Sequence, residues 1–195
     1  MPQLAHAADE GPLDERFQQL SRWTYLMMQV HWADIFLGFA EGATPLCADS
    51  QLQDVLIHHG HLANFISNYS KCFASAGRGR TKLEASDVFG DDEHLREIHE
   101  RIMHLRNKHI AHNDASGLDD VLINVTELED AFVASHSMGI ALPLNEYPYY
   151  RKALRTLELY IVDGSERHRE SLERSLGKPI QIKLKWTHKP EPGSS

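Results

Sequence analysis

Apolar positions recur at intervals of three and four along most of the chain, the spacing that lines one face of an α-helix. Phe17, Leu20, Tyr25, Met28, Trp32, Ile35, Phe36 and Phe39 follow this rhythm, predicting one long helix over residues 13–39. Gly42 and Pro45 end it. Asp49 or Ser50 is placed to cap a second helix that carries Leu52, Val55, Leu56, Leu62, Ile66, Tyr69 and Phe73. The pattern then lapses. AGRGRTKLEASDVFGDD, residues 76–92, is glycine-rich and aperiodic and predicts a long loop. Its GRGRTK core is basic, but the glycine spacing is not that of a phosphate-binding loop and no strand precedes it.

A third helix is expected over residues 92–112, with Asp91, Asp92 and Glu93 at the positive end of its dipole. VLINV, residues 121–125, predicts a short extended segment. In TELEDAFVASHS, Thr126 and Glu129 have the spacing of a capping box, which predicts a short helix. Pro148 suits the first turn of a further helix carrying Leu154, Leu157, Tyr160 and Ile161. Gly164 is expected to break it ahead of a separate helical stretch, SERHRESLERSL. PIQIKLKW alternates apolar and polar or basic residues, as a strand or extended arm does. The expectation is an all-α fold: a bundle of four to five helices with one or two short accessory strands. Residues 13–176 would form a single domain, and residues 177–195 an extended arm and solvated tail.

Composition narrows the class. Of 195 residues, 42% are apolar and 25% charged, a globular mixture that excludes a disordered or collagen-like chain. No apolar run approaches the ~18–20 residues of a membrane span, and the first residues lack the pattern of a secretory signal. The only cysteines, Cys47 and Cys72, form no metal-binding pair and no disulfide framework. A cytoplasmic protein without membrane partners is expected.

The net charge of −8 argues against a protein that coats nucleic acid with its whole surface. The charge is uneven, however. Residues 1–60 carry eight acids and two arginines, whereas residues 165–190 carry seven basic and three acidic residues. Residues 94–112 carry four basic and two acidic residues, with five histidines besides. A polyanion would meet the later regions.

The third helix holds the most informative positions. Its apolar stripe, Leu95, Ile98, Ile102 and Leu105, continues in register to His109 and His112. Arg106 stands beside them. The run LRNKHIAHND resembles the signature of the HEPN superfamily, nucleotide-binding domains found in higher eukaryotes and prokaryotes. There an arginine and a polar residue precede a histidine near the end of a helix in an α-bundle. In this chain Arg106 and His112 enclose NKHIA, and Asn107 is the polar residue. The AHND ending is similar to members of the abortive-infection type.

The resemblance implies a HEPN-like bundle and a metal-independent endoribonuclease, acting as a toxin or phage-defence effector. It also implies a homodimer with the motif at its interface, an RNA substrate and an antitoxin or other regulatory partner. RNA cleavage beside a 2′-hydroxyl needs a base, a proton donor and a cation near the phosphorane. His112 would be the general acid/base, Arg106 the electrostatic stabiliser and Asn107 an orienting group. Lys108, His109, Arg78 and Arg80 would contact substrate, and RNA would approach over residues 77–82 and 183–189. No cofactor is called for. Asp114 stands where nucleotidyltransferase-paired members often carry a tyrosine that is modified, which sets this chain apart from that mode of control. The competing reading is a non-catalytic HEPN-like module that binds nucleotide or RNA, or dimerises.

Thirteen histidines also raise the question of a metal. His94, His99, His104 and His109 recur every five residues, a step of ~140° that spirals them around a helix. The compact HHGH run, His58, His59 and His61, has no partner at a helical ExxH spacing. Trp23, Tyr25, Trp32, Phe36 and Phe39 are expected in the core.

Overall fold

The computed structural model describes residues 15–43, 45–46, 50–74, 82–107, 119–140 and 142–182. The order of elements is α1 (Glu15–Gly42), α2 (Leu52–Lys71), α3 (Ala85–Phe89), α4 (Glu93–Leu105), β1 (Asp119–Glu127), β2 (Phe132–Ile140), a single 3-10 turn (Leu144–Glu146) and α5 (Tyr147–Leu176). The fold is an all-α bundle of five helices with one two-stranded antiparallel ribbon, among the described residues. No helix there is long and apolar enough to cross a membrane.

The long helix α1 packs along both α2 and α5. It does so through a face other than the aromatic one. Leu26, Val30, Ala33, Leu37 and Ala40 are buried, at spacings of four, three, four and three. Ala33 and Ala40 keep that face thin, so neighbouring helices approach closely. α1 therefore has a second apolar stripe, and part of the aromatic set is not core as expected: Trp32 and Phe39 are exposed, while Trp23, Tyr25 and Phe36 pack at the edge of the core. A stripe broader than one face let the larger side chains suggest the wrong phase.

The middle of the core is Phe65 and Tyr69 of α2, Ile98 and Ile102 of α4, and Leu154, Leu157 and Ile161 of α5. Each such aliphatic side chain contributes ~1.5–3 kcal/mol on removal from water. Phe65 stacks on Tyr150 with ring centroids 5.7 Å apart, which ties α2 to the start of α5.

Three segments differ from the sequence expectation. The predicted loop over residues 76–92 contains α3, because Val88 and Phe89 find space in the core and a short helix buries both. Gly90, at φ 55°, then turns the chain into α4 in a conformation that disfavours a side chain. Asp92 caps α4, its side chain accepting from the Leu95 amide at 3.0 Å. Second, TELEDAFVASHS is not a helix. Thr126 and Glu127 close β1, Phe132 opens β2, and the Leu128 amide donates to the Ala131 carbonyl at 2.7 Å across the turn. The Thr–Glu spacing of a capping box falls here on a turn flanked by β-branched and aromatic residues, and the period-two pattern prevails. VLINV lies within β1, as expected.

Third, α5 runs unbroken through Gly164. That glycine is buried against Trp23 of α1: a Cβ at position 164 would stand 2.8 Å from both Cζ2 and Cζ3 of the indole, and closer still to Cη2. Its role is close helix approach, not termination. Pro148 lies in the first turn of α5, and Gly177, at φ 65°, ends the helix.

Candidate functional site

The C-terminal half of α4 is held from two sides. Ile98 and Ile102 are fully buried in the core. On the outer side, Arg101 pairs with Glu146 at 3.2 Å, and the Tyr150 hydroxyl donates to the same carboxylate at 2.9 Å. The Tyr150 phenol is pushed well above its usual range, first by burial and then by Glu146. It stays protonated and keeps donating. These contacts fix the direction in which α4 delivers its last residues.

At that end the helix changes pitch. Regular α-helix runs to Leu105, and Arg106 and Asn107 lie in a wider, π-type turn. Such turns interrupt the regular ladder and are frequent at functional sites. The Arg106 amide still donates to the carbonyls of Ile102 and Met103. Its guanidinium donates through Nη1 to Asn107 Oδ1 at 2.9 Å. The structure thus brings together Arg106 and Asn107 of the expected site. His112, Lys108 and His109 lie outside the described residues, as do Arg78 and Arg80. What is seen of the basic loop is its closure: the Leu83 amide donates to the Cys72 carbonyl at 3.2 Å, clamping the two ends of residues 73–82 together.

The arginines of the described residues fall into two groups. Arg101, Arg151, Arg155, Arg167 and Arg169 each form ion pairs with aspartate or glutamate, whereas Arg96, Arg106 and Arg174 have no carboxylate partner among the described residues. Among the described residues no carboxylate pairs with Arg106, whose side-chain partner is a neutral amide. Asn107 occupies one N–H of the guanidinium and leaves the others for an anion.

The stripe that leads to this site is consumed within the chain. Leu95, Ile98 and Ile102 are buried, and Leu105 packs at the edge of the core. Ile102 therefore has no surface left to offer a partner, and the end of the stripe at His109 and His112, where the resemblance implies that the motif meets a second copy, lies outside the described residues.

Sequence reasoning missed the setting of His99. This residue was one of a spiralling series, yet it lies buried among Tyr69, Phe73 and Phe89, with centroid distances of 5.9, 4.3 and 5.5 Å. Its Nδ1 is 3.1 Å from the Tyr69 hydroxyl, and the two share a hydrogen bond. Burial pulls the imidazole down to about 4 and pushes the Tyr69 phenol well up, so both are neutral near pH 7. The usable signal was the step from Leu95 to His99, which puts the histidine on the buried face.

The remaining chemistry is structural. Cys72 is buried and its thiol is raised to about 12 by burial, so it carries no thiolate at neutral pH. Cys47 lies outside the described residues. His58 and His61 of the HHGH run line, with Asp54, Phe39 and Gly38, a cleft of about 350 Å³ between α1 and α2. Among the described residues no cluster of three or more histidine, cysteine or carboxylate side chains is arranged to hold a metal ion.

No protein-family model, curated protein or solved structure matches this chain.

Proposed function

We propose that the chain is a HEPN-like, metal-independent endoribonuclease, a toxin or phage-defence effector, whose site is formed by Arg106, Asn107 and His112. The observation that carries the reading is the guanidinium of Arg106. It stands at the end of α4, hydrogen-bonded to the Asn107 amide of the same motif and with no carboxylate partner among the described residues. A guanidinium that meets no carboxylate among the described residues suits a phosphate, which it can hold with paired donors.

In this reading Arg106 holds the scissile phosphate and stabilises charge on the phosphorane. Asn107 orients the guanidinium through the hydrogen bond at 2.9 Å. His112, as general acid/base, moves the proton between the 2′-hydroxyl and the leaving 5′-oxygen, and the product is a 2′,3′-cyclic phosphate.

The test is incubation of the purified chain with end-labelled single-stranded RNA in EDTA. Cleavage with cyclic-phosphate ends, lost in a folded His112→Ala variant, is expected. Cleavage that persists in that variant removes the assignment of His112. RNA bound without cleavage makes the chain a binding module.

A further inference from the structure

Both edges of the β1–β2 ribbon are open. The sheet has two strands among the described residues, so each strand has one unpaired side. Every residue from 123 to 135 is exposed, and neither strand runs along a helix. A two-stranded ribbon alone in water is marginally stable, and three or more strands with an apolar face are what normally sustains one. The apolar face is present: Ile123, Val125 and Phe132 share it and are 59%, 62% and 71% exposed.

The two edges differ in chemistry. β1 carries Asp119, Asp120 and Glu127. β2, FVASHSMGI, carries no aspartate, glutamate, lysine, arginine or proline. Charges and prolines are the usual guards of an edge strand, and β2 lacks them. The register fixes which of its residues serve the open side. The Leu128 amide donates to the Ala131 carbonyl at 2.7 Å, and the ladder continues from there without a bulge. Bonded and non-bonded pairs alternate along an antiparallel ladder. Val133, Ser135, Ser137 and Gly139 therefore bond to β1. Phe132, Ala134, His136, Met138 and Ile140 turn their backbone N–H and C=O groups to the open edge.

Two ribbons can meet edge to edge in three ways. β1 against β1 of a second copy, with the two-fold axis at Ile123, sets Asp119 opposite Glu127 twice, and like charges directly opposite destabilise a sheet. β1 against β2 is heterologous and leaves a free edge on each side, so it grows without closing. β2 against β2 closes. With the axis at His136, every outward position of β2 is paired: Phe132 with Ile140, Ala134 with Met138, and His136 with its own copy. No charged residue enters the junction. The acidic strands lie outside, ~14 Å apart, farther than a Debye length. Residues directly opposite share a face, so the apolar faces of the two ribbons become continuous.

We propose that two copies of this chain join through β2, antiparallel about His136, into one four-stranded sheet of order β1–β2–β2–β1. The contact is isologous and closes at a dimer. It is built from the ribbon and not from α4, and it does not depend on the ribonuclease reading.

The experiment is sedimentation equilibrium of the full chain and two double variants, with amide hydrogen exchange of the full chain at low and high concentration. The full chain is expected at twice the 22.2 kDa mass of one copy. Ala134→Glu/Met138→Glu sets like charges opposite each other twice across the junction and should give a monomer. Ala134→Glu/Met138→Lys sets opposite charges there and should restore the dimer. Within one strand the two positions are ~13 Å apart, so the contrast between these variants reads the junction and not the single copy. The Ala134 and Met138 amides should exchange at least about tenfold more slowly at high concentration, while those of Ile123 and Val125, on the outer edge of β1, do not change. A full chain that stays monomeric gives the β2 edge to no second copy and overturns the proposal. A dimer that survives Ala134→Glu/Met138→Glu is held elsewhere, and one that Ala134→Glu/Met138→Lys does not restore is not paired in this register. Either result overturns it, as does protection that falls on β1 or is independent of concentration.

Discussion

The indole of Trp23 occupies the space that a side chain at Gly164 would need. The Cζ2 and Cζ3 atoms each lie 2.8 Å from the ideal Cβ position, inside van der Waals contact. α1 and α5 meet at this point at backbone-to-ring distance. In an open helix Gly→Ala stabilises by ~1 kcal/mol. Here Gly164→Ala is expected to destabilise by about 1–3 kcal/mol, because the ring must leave its place against Tyr160, 6.5 Å away. Chemical denaturation measures this. Trp23→Leu in the Gly164→Ala background should recover part of the loss, and a lone Gly164→Ala that raises stability would show that the contact is slack.

His99 gives the fold an acid limit. In the folded chain burial holds the imidazole neutral down to about pH 4, while in the unfolded chain it takes a proton near 6.5. The unfolded state therefore binds the extra proton between these values. The neutral-histidine contribution is complete above about pH 6.5 and is lost as pH falls towards 4. A difference of about 2.5 pH units corresponds to about 3 kcal/mol. Urea denaturation at pH 7 and pH 4.5 should show a fall in stability about 2–3 kcal/mol larger in the parent than in His99→Gln, which does not titrate. Equal falls in the two proteins would remove His99 as the cause.

How far the chain could be read in advance follows from these residues. α4 and the start of α5 are legible because an apolar stripe and a start signal agree: Asp92 before Leu95 and Ile98 is such a case. α2 lies where its pattern predicts, but its cap is Gln51, in a capping box with Asp54, and not Asp49 or Ser50, and Leu52 and Leu56 of the expected stripe are exposed. Gly164 and Thr126 misled for a common reason. A glycine in a helical pattern signals a break or a close approach, and only the position of Trp23, over a hundred residues away in sequence, selects between them. Thr126 and Glu129 satisfy a capping rule locally, but the pairing of Thr126 with Val133 is decided across the turn. Arg106 and Asn107 could be picked out as a motif. The absence of a carboxylate partner for Arg106 among the described residues is a three-dimensional fact that spacing does not contain.

Arg151 ties α1 to α5 through two carboxylates. Its Nη2 donates to Glu41 Oε2 at 2.5 Å, its Nε to Oε1 at 3.3 Å, and its Nη1 to Asp34. Burial lowers its proton affinity, but Glu41 and Asp34 together raise it above the usual value. All three groups are partly exposed, so solvent screens the pairs. Arg151→Met is expected to cost about 1 kcal/mol, with a double-mutant coupling to Glu41→Gln of about 0.5–1 kcal/mol. The coupling should shrink in 1 M salt. A coupling that salt leaves intact would mean that Arg151 acts through packing of its stem.

Arg106 separates phosphate chemistry from helix stability. Its side chain is partly exposed at the end of α4, and its hydrogen-bond partner there is Asn107. Arg106→Ala should therefore change stability by no more than about 0.5 kcal/mol. If the guanidinium holds the phosphorane, the same change should lower RNA cleavage by about 10²–10³, the usual effect of removing one such donor. Arg106→Lys keeps the charge but loses the fork, and should fall between parent and alanine. Asn107→Ala frees the guanidinium without removing it, so its effect should be smaller than that of Arg106→Ala. Single-turnover cleavage in EDTA, with denaturation curves for each variant, reads all three. If Arg106→Ala cleaves as fast as the parent, the arginine is an ordinary cation at the negative end of a helix dipole.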